Sequence, residues 1–382
     1  MIELLPHQVK PVLDTRKKVL IKSGCGSGKT IIAIQKLINL GLPALVITTK
    51  NDVNKWKRCG KTYNLDIEVY SKDQQKKYLP KEKRYPVIIL DESHRIQSSG
   101  KPSTTYKSLL SYIQRVNPDY VWMMSATPFT ASYWCFYSYM QYLGLPVDYN
   151  QFRDKYFTRF DVNEKRFLKP GEKKYPKKTD FIITKNNEKE DPREEIKDFL
   201  IDIDIKTGIE HDIIHRVPIN VTLMESYGSI HDIAKHENSH KNMYEKLDEL
   251  VEAGTIIACY YRDEVPKLKS KYKALVIDSD NPALIEHQDV DKYPVIVCQM
   301  DTMNAYELPH HKNIIYFSRS WTYSNYEQSR GRISRINNFK DNYYHFLIPY
   351  YENGEMRTVS EQVHKNLLLK KDFQDYDYKR MG

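Results

Sequence analysis

The stretch LIKSGCGSGKT, residues 20–30, constrains this chain more than any other. A short apolar run, a glycine-rich turn and a Lys-Thr pair opening an apolar-periodic segment describe a strand that passes abruptly into a helix. Such a turn aims backbone N–H groups and the positive end of the helix dipole at one point, where a phosphate is favoured. Ser23, Gly24, Cys25, Gly26, Ser27 and Gly28 would form the cradle. Lys29 would reach the β- and γ-phosphates, and the Thr30 hydroxyl would hold Mg2+. The usual pattern has glycine where this chain has Ser23. Taken alone, the loop is also compatible with a tight structural turn beside an incidental lysine.

The surroundings of the loop decide what fold could use it. Apolar runs at 19–23, 44–49, 66–71, 86–92 and 120–126 read as strands, and segments near 29–40, 51–59, 103–116 and 132–143 as helices. Short apolar strands alternating with helices predict a mainly parallel sheet with helices on both faces. Beyond about residue 205 the pattern restarts, with strands expected at 255–260, 274–277, 294–298 and 313–317. A chain of 382 residues is long for one core and suits two α/β domains, expected here at 1–205 and 206–382. A basic insertion falls at about 150–180. The segment 188–204 carries eight Asp/Glu against three Lys/Arg and is expected to lead into the hinge.

Composition narrows the setting. Five scattered cysteines lack paired spacing, which argues against a disulfide framework and fits a reducing, intracellular compartment. No apolar run approaches 18 residues, and the first residues lack the features of a signal peptide, so no membrane span or export is expected. A formal charge of +9 points to a polyanionic partner.

Three further stretches give the loop a context. DESH, 91–94, ends the apolar run 87–90, where a parallel strand delivers side chains to a ligand crevice. Asp91 would bind the metal through its shell, and Glu92 would orient or deprotonate a water. SATP, 125–128, adds Ser125 and Thr127 at the end of another strand. In NYEQSRGRISRI, 325–336, helical spacing would put Gln328, Arg332 and Arg335 on one face. Arginines facing a nucleotide held elsewhere would stabilise charge in phosphoryl transfer.

These stretches, in this order, resemble the superfamily 2 helicases, and within them the Swi/Snf-type DNA translocases. LPHQ, 5–8, is similar to the adenine-reading glutamine motif, which implies Gln8 in the nucleotide site. Residues 23–30 resemble motif I, 91–94 motif II, 125–127 motif III and 328–335 motif VI. The Swi/Snf likeness rests on VITTK, 46–50, followed by Trp56, on QFRDKY, 151–156, and on Trp321. The resemblance implies two RecA-like domains with ATP between them, His94, Ser125 and Thr127 coupling hydrolysis to movement, and DNA as the track. Where the family's motif V has a glycine and Asn/Asp-Leu, this chain reads NAYELP, 304–309. Its compactness would suit a viral or phage enzyme, and a monomer is expected.

Other residues carry less. His211 and His215 have the i, i+4 spacing of a zinc pair, but Asp212 stands in place of a glutamate base and Pro218 follows closely, so metal binding is disfavoured. His231, His236 and His240 read as solvated. The segment 155–178 holds nine Lys/Arg against three Asp/Glu, and Lys173, Lys174, Lys177 and Lys178 within it are candidates for binding phosphates. The function expected is an ATP- and Mg2+-dependent DNA translocase or helicase of the duplex-remodelling kind. An RNA helicase is the alternative within the class. A small-molecule kinase or a non-catalytic nucleic-acid-binding protein is the alternative outside it.

Overall fold

The computed structural model describes residues 2–24, 26–50, 52–79, 83–97, 103–129, 133–161, 182–186, 190–203, 208–220, 229–278, 293–303, 308, 311–334, 340–352 and 357–370. Five strands come first: β1 (Lys18–Ser23), β2 (Ala44–Thr48), β3 (Ile67–Ser71), β4 (Val87–Asp91) and β5 (Tyr120–Ser125). A two-stranded antiparallel ribbon, β6 (Phe157–Asp161) and β7 (Ile182–Asn186), follows, and then β8 (Leu200–Ile203). The second series is β9 (Glu210–Ile219), β10 (Thr255–Cys259), β11 (Leu275–Ile277), β12 (Val295–Gln299), β13 (Asn313–Tyr316) and β14 (Asn342–Tyr351).

They build two six-stranded parallel sheets, ordered β3-β2-β4-β5-β1-β8 and β11-β12-β10-β13-β14-β9. With the intervening helices, this is the architecture of two RecA-like α/β domains. Every residue of β2, β4 and β10 is buried, because helices cover both faces and no position is left for an alternating polar side. The chain divides into two compact units. One gathers Met1–Val12, Lys22–Gln35 and Asp202–Gly382, and the other Leu13–Ile21 and Lys36–Ile201. This division cuts β1, which by its ladder belongs to the first sheet.

Several elements escape the sequence pattern. The acidic segment expected to lead into a hinge is folded over Arg193–Ile196, Lys197–Phe199 and Leu200–Ile203, and its last stretch is the edge strand β8 of the first sheet. β9 and β14 pair along ten residues. Strand β9 is an edge strand, mostly exposed or half-buried up to Arg216, so it lacks the apolar run that marks its neighbours. Pro349 interrupts the apolar pattern of β14. It is tolerated because the ladder with β13 runs only to Phe346, leaving no hydrogen bond on that side for a proline to break. His211 and His215 therefore sit on a strand, where residues four apart are separated by about 13 Å. His215 Nε2 lies instead 3.0 Å from Nδ1 of His345 on β14.

The centre of the first sheet makes a direct test of this packing. Ile89 is fully buried in mid-β4, opposite Val46 on one side and Trp122 on the other. Ile89→Ala is expected to destabilise the protein by about 2–5 kcal/mol, read from urea unfolding. A change below about 0.5 kcal/mol, typical of surface positions, would contradict a close-packed sheet centre.

Candidate active site

The glycine loop leaves the end of β1 and runs into the helix Lys29–Leu40. Gly26 and Gly28 have φ of 76° and 77°, in the left-handed region where a side chain is strained. A Cβ at Gly28 would also stand 2.1 Å from Gln8 Nε2, so the Gln8 amide would have to shift. Gln8, buried on the helix Pro6–Leu13, accepts at Oε1 from Leu5 N (2.9 Å) and donates from Nε2 to the Ser27 carbonyl (3.0 Å). His7 Nε2 lies 3.0 Å from the same carbonyl. The LPHQ stretch thus braces the loop from behind, with His7 a partner that motif reasoning does not single out.

Lys29 is nearly buried, and its Nζ donates to the carbonyls of Ser23 (2.9 Å) and Gly24 (3.1 Å). The ammonium is held over the loop by acceptors that a phosphate oxygen can replace. The hydroxyls of Ser23 and Ser27 are buried and have no hydrogen-bond partner among the described residues. Thr30 is half-buried in the first turn of the helix. Cys25 lies outside the described residues.

β1, β4 and β5 belong to one parallel sheet with β5 between the other two, so Ser23, Asp91 and Ser125 end their strands at the same edge. Asp91 is buried. Its Oδ2 accepts from Trp56 Nε1 (2.7 Å) and Thr48 Oγ1 (3.1 Å), and its Oδ1 from Glu92 N (3.1 Å). Burial, with Glu92 and Asp52 adding repulsion, pushes its pKa up to about 6, against the lowering effect of the Trp56 bond. Glu92 has φ 49° and ψ 48°, a left-handed conformation that costs a non-glycine residue about 1–2 kcal/mol. Strain of this kind clusters where a side chain must be aimed.

The aim of Glu92 is toward a relay. His94 Nδ1 lies 3.3 Å from Glu92 Oε2 and 2.8 Å from Ser125 Oγ, and Ser125 Oγ accepts from Thr127 N (3.0 Å). The end of β4 and the end of β5 are tied through one imidazole whose side chain is 4% exposed. Glu92, His94, Ser125 and Thr127 are therefore brought together. Thr127 Oγ1 is buried without a partner among the described residues.

The arginine-bearing segment departs from expectation. The helix Tyr323–Arg330 ends with Gly331 as its C-cap, so Arg332 stands beyond it and does not share a helical face with Gln328. The last turn tightens: Arg332 N donates to the Ser329 carbonyl at 3.2 Å, and Arg332 Nε reaches back to the Gln328 carbonyl at 3.2 Å. Arg335 lies outside the described residues. Gln328 is buried.

At that helix end stands Arg330, which sequence reasoning passes over. Its guanidinium pairs with Glu210 and Asp212 of β9, each at 2.7 Å, and lies 4.0 Å from the centre of the Tyr344 ring. Tyr344 OH donates to the Arg330 carbonyl (3.0 Å), and Tyr316 OH and Ser329 Oγ are 2.8 Å apart. No local signal marks this clamp, because its acidic partners come from an edge strand more than a hundred residues away.

The candidate phosphate-binding lysines 173, 174, 177 and 178 also lie outside the described residues. Strands β6 and β7 bracket the segment that contains them, with Phe157 opposite Asn186. Lys155, at the start of the basic run, pairs with Glu195 (2.9 Å) and is spoken for. Among the described residues no group of three or more His, Cys, Asp or Glu side chains could hold a metal ion, and no helix is long and apolar enough to cross a membrane.

Residues 44–130 match the family described as Type III restriction enzyme, res subunit, a helicase-like family of superfamily 2. The matched span runs from the start of β2 through Asp91–His94 to the turn beyond β5. The glycine loop and the second sheet fall outside it. The likeness supports a superfamily 2, helicase-like ATPase with nucleic acid as partner, and goes no further toward the Swi/Snf branch or a viral source. No curated protein sequence matches the chain.

The Arg330 clamp can be tested apart from any activity. Arg330→Met keeps the apolar stem and removes the bonds to Glu210 and Asp212 together with that to Tyr326 OH. It is expected to destabilise the protein by about 1.5–3 kcal/mol in urea unfolding. Glu210→Gln combined with Arg330→Met should cost little more than Arg330→Met alone, since both remove the same bond.

Proposed function

We propose that the protein is an ATP-dependent DNA translocase or helicase of superfamily 2, acting on duplex or branched DNA. The observation that supports this reading most is the shared strand edge. It carries a glycine loop with a buried lysine, a buried aspartate, and a strained glutamate linked through His94 to Ser125. A glycine-rich turn with an incidental lysine does not call for the last two.

Each residue then has a task. The loop N–H groups and Lys29 hold the β- and γ-phosphates, which displace the Ser23 and Gly24 carbonyls from the ammonium. Gln8, already fixed behind the loop, stands for the adenine. Thr30 and the Oδ1 side of Asp91 offer oxygen donors of the kind Mg2+ takes, and that ion, when bound, supplies charge neutralisation at the phosphates. Glu92 orients the attacking water and accepts its proton. His94, Ser125 and Thr127 carry the state of Glu92 to the end of β5, as coupling to DNA movement requires. Arg332, Arg335 and Gln328 are assigned to the transferred phosphoryl group, and the functional division of the chain is placed near residue 205.

The net charge of +9 favours a nucleic acid as partner, and the Swi/Snf-like residues Trp56, 151–156 and Trp321 favour DNA over RNA. The basic run between β6 and β7 is assigned to backbone phosphates. The protein is taken to work as a monomer inside the cell, in a reducing compartment.

Three substitutions test these assignments. Lys29→Ala is expected to abolish nucleotide binding or turnover. Glu92→Gln should bind ATP and fail to hydrolyse it, because the lysine touches ground-state phosphates and the glutamate acts on the water. Near-normal turnover by purified Glu92→Gln would remove Glu92 from the chemistry. Arg332→Ala should lower turnover by ~10³-fold while changing ATP affinity far less. If that helix end only binds DNA, DNA-free hydrolysis will be untouched.

The partner has its own test. Neutralising Lys173, Lys174, Lys177 and Lys178 together should weaken DNA binding and flatten the dependence of log affinity on log salt, by about 0.9 for each phosphate no longer neutralised. An unchanged slope would make this segment an ordinary solvated loop.

A further inference from the structure

We infer that Trp56 is a positioning residue for the metal-side carboxylate, acting through its indole N–H on Asp91. The inference deepens the function proposed above and rests on the reading of Asp91 as the Mg2+ side of the nucleotide site. Trp56 lies on the helix Val53–Thr62 and is fully buried. Its Nε1 donates to Asp91 Oδ2 at 2.7 Å, and Thr48 Oγ1, at the end of β2, donates to the same oxygen at 3.1 Å. A carboxylate oxygen has two lone pairs, so Oδ2 is filled. Among the described residues Oδ1 accepts one bond, from Glu92 N at 3.1 Å, which leaves its other lone pair open. The carboxylate is thus turned so that one oxygen faces the protein and the other is left for a ligand.

The type of donor matters as much as the geometry. An indole N–H donates and cannot accept, and neither it nor a threonine hydroxyl carries charge. Two neutral donors orient Asp91 without placing beside it a positive charge that would compete with a cation. A lysine or arginine at the same place would orient it equally well and bring such a charge. Partners that orient a metal-binding side chain in this way are commonly worth 10–100-fold in metal affinity.

The test uses full-length protein, the fluorescent nucleotide N-methylanthraniloyl-ADP, and titration with MgCl2 or with EDTA present. Trp56→Phe keeps an aromatic ring and removes the N–H. The Mg2+-dependent gain in nucleotide affinity should fall roughly tenfold, while affinity in EDTA stays as in the wild type. A packing role alone would lower both affinities together with the unfolding temperature. In an Asp91→Asn background, Trp56→Phe should cost nothing further in the Mg2+-dependent gain. If Trp56→Phe does not fold, Thr48→Val removes the other donor to the same oxygen without changing shape, and should reduce the gain several-fold. A wild-type Mg2+-dependent gain in either variant that folds would overturn the inference alone. A wild-type protein that shows no Mg2+–nucleotide binding would overturn the proposed function and this inference with it.

Discussion

Burial of the strands on both faces is the constraint from which the rest follows. In β2 and β4 every residue is buried, so the sheet interior accepts only apolar side chains and polar chemistry is confined to strand ends. In a parallel sheet those ends share one edge. Ser23, Asp91 and Ser125 are each the last residue of a strand, and Thr48 ends β2. Asp91 stays buried at that edge because Trp56, Thr48 and the Glu92 amide satisfy it.

The same constraint explains what can be read from the amino acids alone. An apolar run buried on both faces is a local signal, and so is a glycine loop whose φ angles demand glycine at positions 26 and 28. Asp91 and Glu92 are visible because they follow such a run directly. The Glu92–His94–Ser125 relay is legible in its membership, since its residues lie at the ends of recognisable strands, though not in its distances.

What stays hidden is what depends on partners far along the chain. The Trp56–Asp91 bond spans 35 residues, and although Trp56 stands out by resemblance, no local pattern in the helix Val53–Thr62 shows that its indole reaches Asp91. Helical spacing overruns the end of the helix at Arg330, and the residues that hold Arg330 there, Glu210 and Asp212 on β9, lie on an edge strand with an unmarked pattern. His211 and His215, disfavoured as a metal pair already by their sequence, lie on a strand that pairs with β14. Local periodicity finds elements buried on both faces and is weak at edges, where pairing decides.

If hydrolysis at this strand edge is driven by engagement of DNA, the rate of ATP turnover must depend on which nucleic acid is present. The most direct measure is the steady-state rate of ATP hydrolysis by the wild-type chain, alone and with saturating duplex DNA, single-stranded DNA, forked DNA or RNA. The expected result is a low rate alone and clear stimulation by duplex or forked DNA, exceeding that by single strands or RNA. A rate indifferent to every nucleic acid, or raised by RNA alone, would contradict a DNA-driven ATPase.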